Sequence, residues 1–327
     1  DLMLSFSVAL TMMGFWQFLH SEKSRISGLI FFVGIGLGLL AKGPIIGVLS
    51  FPPLFVWCIR HRISLKRIFQ IPWVLGGLLT LLVAFPWYYL MEISSPGFID
   101  YFVVGEHFLR FIDSSWSGDK YGFPKQQPLG VIWAFILVGA LPWSFVLLSQ
   151  LKNGLKKVWN DPWQLFLWLW ILWTAIFFTF SKSLIHTYTL PVMIPIALLI
   201  THHWPSFKRK KSVLYVAVCL PVLLIGAYFL EPTQKLLSNS TDKTLVLHPE
   251  VNSSELYAFP FKSYSSQFYS KGKIKIITRD ALEKMVEDST SFSIIIKKRQ
   301  PEYLSSKVMS KLKLLMDRRK DGLYQYK

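Results

Sequence analysis

The chain has 327 residues, of which 52% are hydrophobic and 16% aromatic, and its mean hydropathy is +0.38. A composition this apolar, carried in long runs, excludes an ordinary soluble domain and predicts membrane-spanning helices. The net charge of +17 does not indicate nucleic-acid binding, because most basic residues lie in short loops beside apolar runs or in a mixed-charge C-terminal segment. The two cysteines are too few and too far apart to predict a metal site or a disulfide.

Eight apolar stretches predict membrane spans, although three of them are shorter than the roughly 20 residues that cross a bilayer comfortably. In chain order they are 2–19, 26–41, 45–59, 69–90, 129–149, 163–180, 189–203 and 212–230. Aromatic residues at the span ends, such as Trp87 and Trp204, are typical of the membrane interface. The sequence therefore predicts an α-helical polytopic membrane region over residues 1–231.

The composition changes near Glu231, where the long apolar runs stop. Short β-rich runs follow at 244–247, 273–277 and 292–296, and residues 280–288 between the last two read as a helix. This alternation predicts a small α/β domain over residues 232–327. At the other end, a span begins directly after Asp1, which predicts a piece of a longer membrane protein.

The loops between the spans are of two kinds, which alternate along the chain. Lys and Arg are dense in the loops at 23–25, 60–67, 152–157 and 208–211, and sparse in those around Lys42, 91–128 and Lys182. Because loops rich in Lys and Arg stay in the cytoplasm, we expect the sparse loops and the C-terminal domain to lie on the opposite, outer side.

Lys42 lies between two apolar runs at the outer end of its span. A charge near bilayer depth is costly and therefore indicates a functional site. A lysine that reaches the interface with its long side chain is the ordinary alternative. Gly36, Gly38 and Gly43 permit close packing around it.

Glu106, His107 and Arg110 lie in the longest outer loop. In an α-helix, Glu106 and Arg110 would share one face, where they could form a simple surface ion pair. As a site, Glu106 or His107 could bind a cation or move a proton while Arg110 meets an anion. Two adjacent ligands are weak evidence for a metal, because a site needs three or four.

Three further outer positions complete the candidate set. Lys182 and Tyr188 could bind an anionic headgroup, or they could belong to a hydrophilic turn. Asp1 could cap a helix or line the same cavity. Lys42, Arg110 and Lys182 together place several cations near bilayer depth on the outer face, which predicts a site for a phosphate-bearing lipid. The sequence contains no P-loop, strand-linked GxGxxG or HExxH motif, so nucleotide-sugar chemistry has no visible support.

Short motifs recur in a characteristic order over residues 1 to about 203. They are Leu39-Leu40-Ala41-Lys42-Gly43-Pro44, Pro86-Trp87-Tyr88, Gly105-Glu106-His107 with Arg110-Phe111, Leu141-Pro142-Trp143, and Ser181-Lys182 with Tyr188-Thr189-Leu190-Pro191. This ordered set resembles the dolichyl-phosphate-mannose protein mannosyltransferase superfamily, and within it the bacterial 4-amino-4-deoxy-L-arabinose lipid A transferases.

The resemblance implies an inner-membrane glycosyltransferase of the C-type fold, with its site facing the periplasm. Such enzymes move a sugar from a polyprenyl-phosphate donor to a glycolipid such as lipid A or to a protein. By resemblance, Lys42 and Tyr188 would hold the carrier phosphate, and Glu106 and His107 would close the donor site and could meet a divalent metal (Zn, Mg or Mn). Asp1 matches a cavity-facing Asp, and the main catalytic Asp is expected upstream of this chain.

Two positions separate the chain from the best-known members of that branch. Leu184 and His186 stand where the lipid A transferases usually carry a second Lys and a Pro, so the sugar and the acceptor are left open. A transporter or flippase for a lipid-linked sugar is the alternative function, although the sequence shows no inverted repeat of the kind many transporters have. An inactive remnant of a longer enzyme is a third possibility.

Overall fold

A computed structural model describes residues 1–21, 24–109, 127–152, 155–181, 184–253, 255–288, 291–297, 304, 306–318 and 321–326. The chain divides into two compact units, Asp1–Ala217 and Val218–Lys327. This division lies inside the last apolar helix, whereas the sequence analysis drew the boundary at that helix's end. The boundary at residue 231 stays a prediction.

The first unit is helical throughout the described residues. Its α-helices are Leu2–His20, Arg25–Lys42, Ile45–Arg60, Leu65–Phe69, Trp73–Ser94, Val131–Gly139, Ser144–Lys152, Leu155–Asn160, Pro162–Thr179 and Leu190–His203, and the helix Lys210–Tyr228 continues into the second unit. A π-helix covers Asp100–Leu109, and 3₁₀ turns cover His186–Thr189 and Trp204–Ser206. Among the described residues, five helices are long and apolar enough to cross a membrane: Leu2–His20, Arg25–Lys42, Trp73–Ser94, Pro162–Thr179 and Lys210–Tyr228.

The predicted span at 129–149 is not one helix. It is interrupted between Val131–Gly139 and Ser144–Lys152, at the position of Pro142. Proline lacks the backbone N–H and disfavours helical backbone in the residue before it, so the helix ends ahead of the proline and a new one starts after it. The region therefore contains two helices rather than one continuous helix, and its single membrane crossing stays a prediction.

Small residues let the first helices approach closely. A Cβ atom placed on Gly14 would lie 2.6 Å from the backbone nitrogen of Phe31, and one placed on Gly34 would lie 2.5 Å from Thr11 Oγ1. Helices in a membrane associate through such close packing because lipid tails remove the usual hydrophobic driving force. The first two helices therefore form an antiparallel pair that brings Asp1 and Lys42 to the same end.

The core of the first unit is aromatic. Trp57, Phe166 and Trp170 are fully buried between the helices that carry them. The indole N–H of Trp57 donates to the Pro162 carbonyl at 2.9 Å, which satisfies its polar atom inside the bundle. This contact joins the helix Ile45–Arg60 to the helix Pro162–Thr179.

The second unit contains a mixed five-stranded sheet. The strands are β1 (Glu255–Phe259), β2 (Lys275–Ile276), β3 (Phe292–Lys297), β4 (Lys313–Asp317) and β5 (Asp321–Tyr326), in the order β2-β1-β3-β5-β4. β1 is parallel to β2 and β3, whereas β5 is antiparallel to β3 and β4. Its helices are Glu231–Ser240, Lys243–Val246, Tyr264–Tyr269, Arg279–Glu287 and Ser306–Lys311, with a 3₁₀ turn at Pro249–Ser253. The predicted small α/β domain is confirmed.

One predicted strand of this unit was wrong. Residues 244–247 lie largely in the one-turn helix Lys243–Val246, where the adjacent side chains Leu245 and Val246 are both buried. A strand would point these two side chains to opposite faces. Periodicity alone cannot separate a short buried helix from a buried strand in a run of four residues.

Candidate active site

The site begins where two helix ends and a loop meet. The Asp1 carboxylate forms an ion pair with the Lys42 ammonium group and accepts a hydrogen bond from Thr187 Oγ1 at 2.5 Å. The Lys42 nitrogen also lies 4.2 Å from the centroid of the Tyr188 ring, within the range of a cation–π contact. Lys42, Asp1 and the loop before residue 190 therefore form one cluster.

The local sequence explains why Lys42 stands at this point. The helix Arg25–Lys42 ends at Gly43, whose φ of 63° and ψ of −150° lie in a region that only glycine adopts readily. A cation in the last turn of a helix is also stabilised by the partial negative charge of the helix C-terminus. A Cβ atom on Gly43 would lie 2.9 Å from His107 Cε1, so this glycine also makes room for the histidine ring.

The π-helix Asp100–Leu109 places Glu106 and His107. Its residues meet at a spacing of five: Tyr101 donates its hydroxyl to Glu106 Oε1 at 2.5 Å, and His107 Nδ1 lies 2.6 Å from the Phe102 carbonyl oxygen. His107 Nε2 lies 2.5 Å from the Lys42 carbonyl oxygen. The histidine therefore ties this segment to the backbone of the residue that carries the ammonium group.

A cavity of about 390 Å³ joins these side chains. Five predicted site residues line it: Asp1, Lys42, Glu106, His107 and Tyr188. Thr187 and Tyr101 also line the cavity, and Trp87, Phe98 and Phe102 form an aromatic wall. None of these five residues was predicted to belong to the site. The Pro86-Trp87-Tyr88 motif is the one sequence signal that pointed to part of this wall.

The cavity combines a half-exposed ion pair with hydroxyl groups and aromatic rings. The Lys42 side chain is 32% exposed and that of Asp1 21%. An ammonium group has three N–H donors, so Lys42 can keep its bond to Asp1 and still bind another acceptor. Apolar walls with a few convergent polar groups are typical of a small-molecule site. Phosphate oxygens and sugar hydroxyls both suit these donors and acceptors.

Two predicted site residues, Arg110 and Lys182, lie outside the described residues. The pairing of Glu106 with Arg110 on one α-helical face therefore stays a prediction. The helix that carries Glu106 is a π-helix over Asp100–Leu109, in which residues five apart face each other.

The geometry around Glu106 and His107 does not by itself form a metal site. Both ring nitrogens of His107 face carbonyl oxygens, and Glu106 accepts from Tyr101. Within the described part of the chain, no three His, Cys, Asp or Glu side chains gather closely enough to hold a metal ion. The divalent metal that the resemblance implies is untested, and at Glu106 and His107 it would have to displace these hydrogen bonds.

The opposite ends of the helices gather basic connections. The Arg67 guanidinium donates to the Leu19 carbonyl, and Arg60 donates to the Trp159 carbonyl at 3.5 Å. Asp161 caps the next helix by accepting from the backbone N–H groups of Trp163 and Gln164. Burial alone would raise the pKa of Asp161, but these hydrogen bonds outweigh it and lower the pKa below its ordinary value. The cavity and the basic loops thus mark two different ends of the bundle.

The fold has counterparts among solved structures. The chain matches the crystal structure of ArnT from Cupriavidus metallidurans bound to undecaprenyl phosphate with a TM-score of 0.66, covering 98% of this chain and 73% of that one at 14% identity. The apo structure of the same protein matches with a TM-score of 0.67. This similarity confirms the predicted fold, a polytopic helical membrane protein with a small C-terminal α/β domain.

Sequence similarity points to particular relatives. Residues 1–102 match the family described as Dolichyl-phosphate-mannose-protein mannosyltransferase. The chain is 30% identical over 221 residues to an undecaprenyl phosphate-alpha-4-amino-4-deoxy-L-arabinose arabinosyl transferase of Wigglesworthia glossinidia brevipalpis, covering 66% of this chain and 38% of that protein. It is 29% identical over 211 residues to the Pseudomonas aeruginosa protein of the same name, covering 62% and 36%. The resemblance predicted from the motifs is confirmed, and the chain spans under two fifths of the length of these relatives.

Proposed function

We propose that this chain is part of an integral membrane glycosyltransferase that moves a sugar from a polyprenyl-phosphate donor to an acceptor. The observation that carries the proposal is the cluster of Asp1, Lys42, Thr187 and Tyr188 in an aromatic-walled cavity at the helix ends. The names of the similar transferases support the same donor class.

In the proposed reaction, the bond between the anomeric carbon and the carrier phosphate breaks while the acceptor oxygen bonds to that carbon. The leaving electron pair stays on the phosphate oxygen, where the Lys42 ammonium group and the Tyr188 hydroxyl stabilise the developing charge. The hydroxyl proton of the acceptor passes to a carboxylate. Asp1 holds Lys42 in position through the ion pair and is itself a cavity carboxylate.

The names of the relatives, rather than the shape of the cavity, support the choice of sugar. Their names favour 4-amino-4-deoxy-L-arabinose, a pentose, and a hexose is the alternative. We propose a lipid A-like glycolipid as acceptor, with a protein acceptor as the second choice. A carboxylate such as Glu106 beside the cavity would suit the amino group of an aminopentose.

We propose that the cavity faces the periplasm from the bacterial inner membrane. The support is that basic side chains lie at the helix ends away from the cavity, as expected for cytoplasmic ends. There Arg67 contacts the Leu19 carbonyl and Arg60 contacts the Trp159 carbonyl. Counted along the chain, the last apolar helix then leads to a C-terminal domain on the periplasmic side.

The test uses the full-length protein in detergent with a polyprenyl-phosphate-linked aminopentose and lipid A. We expect Lys42→Ala to lower transfer by about 100-fold, the scale of losing one preorganised electrostatic contact. Lys66→Ala, an exposed lysine in the short helix Leu65–Phe69, is the matched control and should keep wild-type activity. Activity of Lys42→Ala within a few-fold of wild type would remove Lys42 from this role. Because detergent abolishes transmembrane movement, any transfer also excludes a pure flippase.

A further inference from the structure

The segment 261–277 of the C-terminal unit has a composition unlike an ordinary solvent-facing surface. It contains four lysines and no acidic residue, and it also carries three aromatic residues in its first eight positions. The lysines are Lys262, Lys271, Lys273 and Lys275, and the aromatic residues are Phe261, Tyr264 and Phe268. We call this segment the basic aromatic surface.

The helix Tyr264–Tyr269 in this surface turns its polar side inward. Ser266 is 1% exposed and Ser270, just after the helix, is 9% exposed. Tyr264 and Phe268 are 70% and 75% exposed. These two aromatic residues are four apart and so share one face. A helix that only packed onto a water-soluble sheet domain would bury the aromatic residues and expose the serines.

The buried serines are satisfied within the unit. Ser266 donates to the Ser263 carbonyl at 2.8 Å, and the Ser263 hydroxyl accepts from the Ser266 backbone N–H at 3.0 Å. Ser270 donates to the Gln267 carbonyl at 3.1 Å. These local bonds satisfy the hydroxyl groups of Ser266 and Ser270, so no unpaired hydroxyl opposes burial of this side of the helix.

The lysines beside this face are available to an anionic partner. Lys271 and Lys273 are exposed, and neither forms an ion pair with any residue that the structure describes. Lys275 pairs with Glu255 at 2.9 Å, with both side chains 60% exposed. Exposed aromatic rings with neighbouring lysines are the side chains that favour the interface of an anionic bilayer.

We propose that the basic aromatic surface docks on a lipid bilayer, with Tyr264 and Phe268 at the headgroup level and the lysines on anionic headgroups. The chain itself supports this partner, because fewer than thirty residues join the helix Lys210–Tyr228, long and apolar enough to cross a membrane, to strand β1. The unit is therefore tethered near a bilayer whatever reaction the protein catalyses.

The experiment places the photoreactive residue benzoylphenylalanine in the full-length protein at position 268. The substitution Phe268→benzoylphenylalanine adds to an exposed ring and leaves the buried serines untouched. The matched control is Glu287→benzoylphenylalanine, at an exposed position on the helix Arg279–Glu287. Each variant is irradiated in vesicles of phosphatidylcholine with phosphatidylglycerol, and the adducts are identified by mass spectrometry.

We expect lipid adducts at position 268 to exceed those at position 287 by about fivefold or more. Fivefold is about the gain in membrane binding that one lysine provides at an anionic surface. The double variant Lys271→Gln, Lys273→Gln should reduce the adducts at 268, as should vesicles of phosphatidylcholine alone. Equal lipid adducts at both positions would overturn the proposal. Adducts at 268 to another protein, to a second copy or to this chain would overturn it too. Sugar transfer is not measured, so the result stands apart from the proposed function.

Discussion

The two units each hold a lysine beside carboxylates, yet the surroundings of the two lysines differ. In the first unit, Lys42 pairs with Asp1, and the side chains are 32% and 21% exposed beside a cavity. In the second unit, Lys297 lies 3.3 Å from Asp242 and 3.1 Å from Asp321, and these three side chains are 14%, 6% and 13% exposed. Asp242 also accepts from the Ser263 hydroxyl.

The comparison shows how burial separates a structural ion cluster from a candidate binding site. Lys297 sits at the end of strand β3 between two carboxylates of its own unit. Burial is the main cause that raises the pKa of Asp321, and the nearby Asp242 adds to it, although Lys297 acts in the opposite direction. The Lys42 pair borders open space that a ligand can enter. The same pair of groups is therefore enclosed in one unit and borders a cavity in the other.

The largest expected effect is on the buried cluster. Lys297→Ala leaves two carboxylates without their shared cation, so we expect the C-terminal unit to lose about 3 kcal/mol of unfolding free energy. Pulse proteolysis in increasing urea, followed with an antibody to the C-terminus, measures this loss. Lys275→Ala, in a pair whose side chains are 60% exposed, is the control and should leave the urea midpoint unchanged. Equal midpoints for Lys297→Ala and wild type would show that burial does not distinguish the clusters.

The next effect concerns the turn that presents Lys42. Gly43→Ala forces a side chain into backbone angles that favour glycine and toward the His107 ring, so we expect a loss of about 2 kcal/mol in stability of the bundle. Transfer activity should fall as well, because Lys42 and His107 shift. Gly77→Ala is the matched control, since a Cβ atom there meets nothing within 4 Å. Thermal unfolding in detergent measures the difference, and similar melting for both variants would contradict it.

A smaller effect tests whether Asp1 orients Lys42 for transfer or instead stabilises the fold. Asp1→Asn keeps the shape and removes the charge, so we expect transfer to fall by about tenfold as Lys42 loses its fixed position. The unfolding temperature should stay close to wild type, because a partly exposed ion pair contributes little to stability. Position 1 of this chain is mutated in the full-length protein, and kcat and KM are measured separately. Unchanged kcat together with a lower melting temperature would make the pair structural, like the Lys297 cluster.

The smallest expected effect is that of metal removal. Since both ring nitrogens of His107 already face carbonyl oxygens, we expect chelation with EDTA to leave transfer within about twofold of the untreated enzyme. Zinc, magnesium and manganese are then added back in turn. A loss of activity that one of these ions restores would contradict this expectation and show that the enzyme needs a metal. At Glu106 and His107, such a metal would require the histidine to leave the Lys42 carbonyl.

Several features could be predicted from sequence because they depend on hydrophobicity over long stretches. The helices that begin at Leu2, Arg25 and Pro162 match predicted spans within one residue at that end. Short segments were less predictable. The helix predicted over 129–149 is interrupted at Pro142. Residues 244–247 are equally hydrophobic as a strand or as a helix, so packing against the core of the unit decided that they form a helical turn.

The site was only partly predictable. Motifs pointed to Lys42, Tyr188, Glu106 and His107, and the cavity brings all four together. They could not reveal Thr187 as the partner of Asp1, because the two residues are 186 positions apart and no local pattern connects them. The contact of Tyr101 with Glu106 was missed because it requires a π-helix, which sequence periodicity does not distinguish from an α-helix over ten residues.

The amino-acid sequence by itself determined that this protein crosses a membrane many times, which loops are basic and where the long apolar helices lie, because partition between water and lipid acts on each stretch separately. Only the tertiary structure decided which polar side chains meet. Antiparallel packing of glycine-lined helices brought Asp1 to Lys42, and packing in the second unit buried Lys297 with its carboxylate partners. Such contacts join residues far apart in the chain, so they depend on how the helices and strands pack.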